Sequence, residues 1–200
     1  MKGGYVAMRH NRIRDLEASI LKEVCKDVKV EPELLPIGNS SVTSSNEAEK
    51  ARCDVSGVGI WSPMERTFLD VRVFHPNSPS YRGKKIEKLY EQHENEKKQK
   101  YNDRILQVEK ATFTPLVFST SGGMAKECTK FHKKLAEHVS NKTKEDYSHV
   151  MNHLRTRLRF ALLKSTLIAI RGERGKSKTS KQPITELCFN TIPAMPSYEV

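Results

Sequence analysis

The sequence has few cysteines and no apolar stretch long enough to cross a membrane. Its four cysteines form no C-x-x-C pair, so neither a disulfide framework nor a zinc site is indicated. The most apolar run, 160–170, is interrupted by Lys164 and predicts a buried helix segment. The N-terminal segment MKGGYVAMRHNRIRD is charged where a signal peptide is apolar. These absences predict an intracellular protein of the nucleus or cytoplasm that is neither secreted nor membrane-bound.

Acidic residues are also scarcer than basic ones. The chain has 24 Asp and Glu against 35 Lys and Arg, which gives a formal charge of +11. Such an excess favours a polyanionic partner, nucleic acid first, over a protein that is merely soluble and basic. Two hundred residues, 36% of them hydrophobic, are enough for one domain with a substantial core.

Hydrophobic periodicity predicts the order α-β-β-β-α-β-α-α. The predicted helices are 8–28, 83–105, 124–139 and 145–171, and the predicted strands are 28–35, 51–60, 66–74 and 107–119. Pro115 limits the last strand to a sheet edge or a bulge. We expect an α/β (α+β) fold, a mixed central sheet flanked by helices with extra C-terminal helices. The polar segment 38–50 predicts a loop, and 173–200, basic and then Pro-containing, predicts a disordered tail.

Asp54 and Asp70 lie 16 positions apart in two predicted strands that a Gly- and Pro-containing turn separates. This spacing suits neighbouring strands that present two carboxylates to one point. Mg²⁺ prefers such oxygen ligands, and metal-assisted phosphodiester cleavage needs little else. Alternation places Arg72 on the Asp70 face of its strand. Arg72 stays protonated, so it either clamps a phosphate or forms a surface ion pair with Asp70.

The helix 83–105 supplies a candidate catalytic lysine. Lys97 falls in the middle of an apolar stripe formed by Ile86, Tyr90, His93, Tyr101 and Ile105. If this stripe faces the two aspartates, Lys97 orients the attacking water and stabilises charge on the phosphate. Lys100, on the flank of the stripe, is the second choice. The alternative is a lysine on a solvated helix face.

Three further features carry weaker signals. Glu109 begins the next predicted strand and is either a third metal ligand or a cap at the strand edge. His10 has no partner histidine at metal-ligand spacing, which favours a structural role. Gly122 and Gly123 precede a helix, but the GKS/T element of a P-loop is missing.

Six segments, taken together, resemble a known family. They are RHNRIRD, VEPELLP, ARCDVSG, FLDVRVF, HENEKKQKY and QVEKATFTPLVFSTSGG. They resemble the restriction-endonuclease-like domain that follows a reverse transcriptase in some eukaryotic mobile elements, a branch of the PD-(D/E)XK nuclease superfamily. The resemblance covers about residues 3–172, so we expect a nuclease domain over 1–172.

The resemblance implies roles for individual residues. Arg52-Cys53-Asp54 matches an Arg-Pro-Asp triplet with Cys in place of Pro, and Asp70 matches the second acid. Arg72 stands where the superfamily has a lysine, and a lysine–tyrosine element on the next helix matches Lys97, Lys100 and Tyr101. The superfamily often adds an N-terminal glutamate. The candidate is Glu31, with Glu17 and Glu23 weaker.

The implied function is a Mg²⁺- or Mn²⁺-dependent DNA endonuclease that nicks a target to prime reverse transcription. Expected partners are DNA, with RNA as the alternative, and an upstream reverse transcriptase domain in the parent element. The chain would then be a fragment of the polyprotein of that element. The expected metal ligands are Asp54, Asp70, Glu31 and Glu109. The expected nucleic-acid contacts are Arg52, Arg72, Lys98, Lys100, Arg104, Lys130, Lys133 and Lys134. The alternatives are an inactive relic of the same fold that binds nucleic acid or protein, and a structural protein with evenly scattered charge.

Overall fold

The elements follow one another in the predicted order in a computed structural model, which describes residues 4–35 and 51–174. The helices are α1 (Gly4–Val24), α2 (Ile86–Arg104), α3 (Lys126–Thr143) and α4 (Tyr147–Arg174). The strands are β1 (Lys26–Val30), β2 (Val55–Val58), β3 (Arg66–Phe74) and β4 (Thr112–Ser119). A 3-10 turn, Pro79–Tyr81, precedes α2, and a π-helical turn, Ile105–Glu109, follows it.

β1, β2 and β4 differ in extent from the predicted strands 28–35, 51–60 and 107–119, while β3 agrees residue for residue. β1 ends at Val30 rather than at 35, because Glu31 adopts a left-handed φ of 51° and Pro32 follows. β4 begins at Thr112 rather than at 107, because the π-helical turn extends α2 until Lys110 reverses the chain with a φ of 51°. α4 runs two residues past the predicted domain end. The predicted loop 38–50 and the tail beyond 174 lie outside the described residues.

The four strands form one mixed sheet in the order β1-β2-β3-β4. β1, β2 and β3 are antiparallel neighbours, and β4 is parallel to β3 because α2 carries the chain back between them. Pro115 lies opposite Asp70 in β4, the edge strand. An edge strand has no neighbouring strand on its outer side, so a proline there, which has no N–H, leaves no hydrogen bond unmade on that side. The predicted edge position is confirmed.

Helices cover both faces of the sheet. α1 and α3 pack on one face and α4 lies on α1 and α3 as a further layer, so that Ile13, Leu69, Phe131 and Leu158 share one core. α2 and the turn after it cover the other face, where Tyr101 and Ile105 pack against Phe68. The alternation of β3 thus puts Leu69 and Phe68 in different cores, and Asp70 shares the α2 face with Phe68.

Within residues 4–35 and 51–174, no helix is both long and apolar enough to cross a membrane.

Candidate active site

The site forms where β2 stops short of the end of β3. β2 pairs with Arg66–Leu69, so Val71 has no partner strand on that side among the described residues. Side chains replace the missing strand. Asp54 Oδ2 accepts a hydrogen bond from the Val71 N–H at 2.6 Å. His10 Nε2, brought by α1, lies 3.1 Å from both the Val71 carbonyl and Asp54 Oδ2.

The two aspartates converge at this point. Asp54 Oδ2 accepts a hydrogen bond from the Val71 nitrogen, and only two backbone bonds separate the Val71 nitrogen from the Asp70 Cα. Asp54 Oδ2 therefore lies within about 5.5 Å of the Asp70 Cα. The negative charge of Asp54 also contributes to raising the pKa of Asp70, after the larger effect of burial. Asp54 itself lies immediately before β2 rather than within it.

Asp70 is a buried carboxylate held by α2. Only 4% of the residue is exposed, and the Lys97 ammonium forms an ion pair with its Oδ2. Tyr101, one helical turn after Lys97, also lowers the pKa of this carboxyl group. Burial raises the pKa of Asp70, whereas Lys97 opposes the rise. Lys97 therefore points at Asp70, as the helix phase predicts.

The alternative of a surface ion pair between Asp70 and Arg72 is wrong. Asp70 is buried against Lys97, and Arg72 is exposed two residues further along β3. Lys100 is exposed on the flank of α2, with its Nζ 4.8 Å from the centre of the Tyr101 ring. The stripe on α2 also differs from the predicted one, because Ile86 is exposed and Leu89 is buried.

Cys53 forms part of the apolar floor of the site. Its side chain is buried in the same cluster as Phe68 and Tyr101. Burial, and then the charges of Asp70 and Asp54, raise the pKa of its thiol. Burial and Asp70 likewise raise the pKa of Tyr101. Both groups keep their protons at neutral pH, so Cys53 acts as a packing residue and Tyr101 presents a neutral hydroxyl beside Asp70.

The glutamates proposed as further ligands are engaged elsewhere. The Glu31 backbone N–H bonds to the Asp54 carbonyl at 2.9 Å, but the Glu31 carboxylate pairs with Arg14. Glu109 lies in the π-helical turn instead of beginning β4, and it accepts the Leu35 N–H at 2.7 Å. No group of three or more His, Cys, Asp or Glu side chains in the described part of the chain could hold a metal ion.

The two weaker glutamate candidates also have partners. Glu17 is fully buried and bonds to His132 at 2.9 Å. Glu23 lies 3.7 Å from Arg157. The oxygen donors that the structure brings together are therefore those of Asp54 and Asp70.

The basic residues expected to bind nucleic acid fall into three groups. Arg104 is a correction, because it is buried and donates to the carbonyls of Leu34 and Leu35, which anchors the segment after β1 to α2. Three are in ion pairs at or near the surface: Arg52 with Glu33, Lys98 with Glu127 and Lys134 with Glu137. The other four, Arg72, Lys100, Lys130 and Lys133, are exposed and form no ion pair with a described residue.

His10 is the site residue that sequence reasoning placed outside the site. The hydrogen bond to Asp54 raises its pKa despite partial burial, so the charged form of the imidazole is favoured beside the carboxylate. A signal was present in the helix phase. His10 lies three residues before Ile13 and seven before Glu17, both buried, so it continues the inward face of α1. The sequence does not indicate that this face of α1 ends beside Val71, the part of β3 that β2 leaves unpaired.

Comparison with known proteins adds no identification. The chain matches none of the protein-family models with which it was compared, and no curated protein matches it. The resemblance to restriction-endonuclease-like domains therefore rests on the quoted segments.

Proposed function

We propose that the chain is a Mg²⁺-dependent DNA endonuclease domain with a restriction-endonuclease-like fold, derived from a retroelement. The observation that carries the proposal is the buried Asp70 carboxylate, contacted by Lys97 of α2 and approached by Asp54 from the β2 side. The negative charge of Asp54 disfavours the ionised form of Asp70. Such an arrangement is more useful for binding a cation than for stabilising a core.

The donor set fits a hard cation. Asp54 and Asp70 would hold Mg²⁺ or Mn²⁺, since carboxylate oxygens are the ligands these ions prefer. When bound, the metal would polarise a phosphate and supply an activated water. Burial of Asp70 excludes bulk water from one side of the site, and the ion pair with Lys97 holds the carboxylate in place.

The remaining residues would handle the substrate. Lys97, whose side chain is 19% exposed, can reach a water or a phosphate oxygen from its place beside Asp70 and would stabilise the charge that develops there. Arg72, exposed on the same strand, would clamp the scissile phosphate. Lys100 and the exposed lysines of α3 would contact the DNA backbone.

The quoted segments and the mixed sheet flanked by helices support the family assignment and the retroelement origin. On this proposal, the biological reaction is a nick in target DNA that primes reverse transcription by an upstream domain of the parent element. Genomic DNA as substrate would require the protein to act in the nucleus.

Nicking of supercoiled plasmid tests the proposal. The full chain with Mg²⁺ or Mn²⁺ should convert plasmid to the open-circular form. Asp70→Asn should reduce the rate to below about 1% of the wild-type rate because it removes a metal ligand, while DNA binding stays intact. Asp103→Asn is the matched control, since Asp103 is exposed on α2, and should leave nicking unchanged. Nicking that survives Asp70→Asn would come from another site and would contradict the proposal.

The second candidate is an inactive nucleic-acid-binding relic of the same fold. Arg72 in the position of a lysine and Cys53 in the position of a proline favour it. Salt-sensitive binding of the wild-type chain to DNA, without nicking in either metal, would select this function instead.

A further inference from the structure

Helix α4 carries two apolar stripes, and only one of them is covered. The inner stripe, buried against α1 and α3, consists of Met151, Leu154, Leu158 and Leu162. The outer stripe consists of Phe160, Leu163, Leu167 and Ile170, which are 61%, 52%, 49% and 47% exposed. No described residue packs over this outer stripe closely enough to bury it. A helix that is apolar on two sides is normally covered on both.

The outer stripe has the dimensions of a coiled-coil seam. Its residues follow one another at intervals of three, four and three positions, the a/d spacing of a heptad repeat. At 3.6 residues per turn they span an arc of about 80°, centred about 160° away from the inner stripe, and about 15 Å of helix axis. A strict a/d stripe is narrower than the face of a helix that lies on a core or a lipid surface. The shape therefore suits a single partner helix.

The charges beside the stripe select the partner. Arg159, Lys164 and Arg171 are exposed at the flanking e and g positions, and none forms an ion pair with a described residue. Between Tyr147 and Gly172 the sequence contains no Asp or Glu. A second copy of α4 would bring like charges together along the seam, which disfavours self-association. A helix with acidic residues at its own e and g positions would be attracted.

We propose that the outer stripe of α4 is a docking site for an amphipathic helix of another protein, with apolar residues at a and d and Asp or Glu at e and g. α4 packs on α1 and α3, a layer away from the sheet that carries Asp54 and Asp70. Docking on α4 therefore does not depend on the nuclease proposal, and it leaves the site of Asp54 and Asp70 open.

Fluorescence anisotropy with designed peptides tests this docking. The probe is a labelled peptide of about three heptads with Leu at a and d and Glu at e and g, and its twin has Lys at e and g. The full chain should bind the Glu peptide at least about tenfold more tightly than the Lys peptide, with an affinity that falls as salt is added. The double variant Leu163→Glu/Leu167→Glu should lose at least about tenfold in affinity. Met64→Glu changes a 90% exposed apolar residue outside α4 and should leave the affinity for the Glu peptide unchanged.

Several results would overturn the proposal. Equal affinity for the two peptides, or no binding of either, would remove the charge-selected helix. A wild-type dimer in solution that Leu163→Glu/Leu167→Glu converts to a monomer would assign the stripe to a second copy of the chain. Binding to phosphatidylserine vesicles that this variant abolishes, without peptide binding, would assign it to a membrane surface. Cross-links from position 163 into residues 175–200 of the same chain would assign it to the C-terminal segment.

Discussion

Asp70 is a residue on which opposing influences act. Burial raises its pKa, the Lys97 ammonium lowers it, and Asp54 raises it again. Because the folded-state pKa is raised, protonation of Asp70 contributes stability at low pH, and this contribution is lost as the pH rises through the folded-state pKa. Among these effects, Lys97 does most to favour the ionised carboxylate that a metal needs.

Replacement of Lys97 by methionine should make stability more dependent on pH. Without the ammonium, the pKa of Asp70 rises further, so the loss of stability with rising pH becomes larger and extends to higher pH. We expect Lys97→Met to be less stable than the wild type by about 2–4 kcal/mol near pH 8, with a smaller difference near pH 4. Urea unfolding at both pH values measures this difference in the free energy of unfolding. Lys100→Met, at an exposed lysine with no described ion pair, is the control. Equal pH profiles for wild type and Lys97→Met would show that the ion pair does not control Asp70.

The residues of the site differ in how far the sequence could predict them. Asp70 and Lys97 follow from the period of one strand and the phase of one helix, which are local properties. His10 depends on where the end of α1 lies relative to β3, a long-range packing result. The sequence predicts Arg104 as a nucleic-acid contact because it belongs to the basic helix 83–105. Its burial depends on carbonyls of Leu34 and Leu35, about 70 residues away in sequence, which no local pattern indicates.

At the scale of elements, α1 and α3 are joined through a fully buried polar pair. His132 Nε2 lies 2.9 Å from Glu17 Oε1, and its Nδ1 lies 2.7 Å from the Cys128 carbonyl. Burial alone would lower the pKa of His132, but Glu17 and Cys128 raise it well above the ordinary value. Glu17 Oε2 has no described hydrogen-bond partner, so the pair depends on one strong contact.

Glu17→Gln should therefore weaken the packing of α1 against α3 most clearly at neutral and mildly acidic pH. A histidine with a raised folded-state pKa contributes stability that is complete below its unfolded pKa, about 6.5, and is lost as the pH rises through the folded-state pKa. We expect the variant to lose about 3 kcal/mol near pH 6 and progressively less at alkaline pH. Denaturant unfolding across this range measures it.

The control for this prediction is Glu137→Gln on α3. Glu137 pairs with Lys134 at the surface, and its replacement should change stability much less than Glu17→Gln at any pH. A loss in Glu17→Gln that stays constant from acidic to alkaline pH would mean that His132 is neutral and that the contact is an ordinary hydrogen bond.

Element boundaries were less predictable than element types. The bounds of β3 could be predicted because the alternation of its residues lies within its own sequence, and a helix layer covers each of its faces. β1 ends, and β4 begins, close to segments that make tertiary contacts with each other. The Leu35 N–H bonds to Glu109 in the π-helical turn, and Arg104 bonds to the carbonyls beside it. This cross-connection holds the segment after β1 against the turn before β4, and the two contacts themselves have no sequence signal.

At the scale of the whole molecule, the formal charge of +11 matters for function only if it is concentrated. Lys130 and Lys133 are exposed on α3, which packs against β4 at one edge of the sheet. Lys22 and Lys26 are exposed near the β1 edge. Net charge and element order can be read from the sequence, but the strand order that separates these two edges cannot. The comparison of the two lysine pairs thus tests the folded arrangement rather than the composition.

Salt dependence of DNA binding should distinguish the two edges. Each phosphate contact that is lost reduces the slope of log K against log salt by about 0.9. We expect Lys130→Gln/Lys133→Gln to reduce the slope by nearly two and to weaken binding to all duplex sequences alike, because phosphate contacts carry no base information. Lys22→Gln/Lys26→Gln removes the same net charge and should leave the slope unchanged. Anisotropy titrations of a labelled duplex at several salt concentrations measure both. If the two variants reduce the slope equally, the positive charge acts as a diffuse cloud, and α3 loses its role as a DNA-contacting surface.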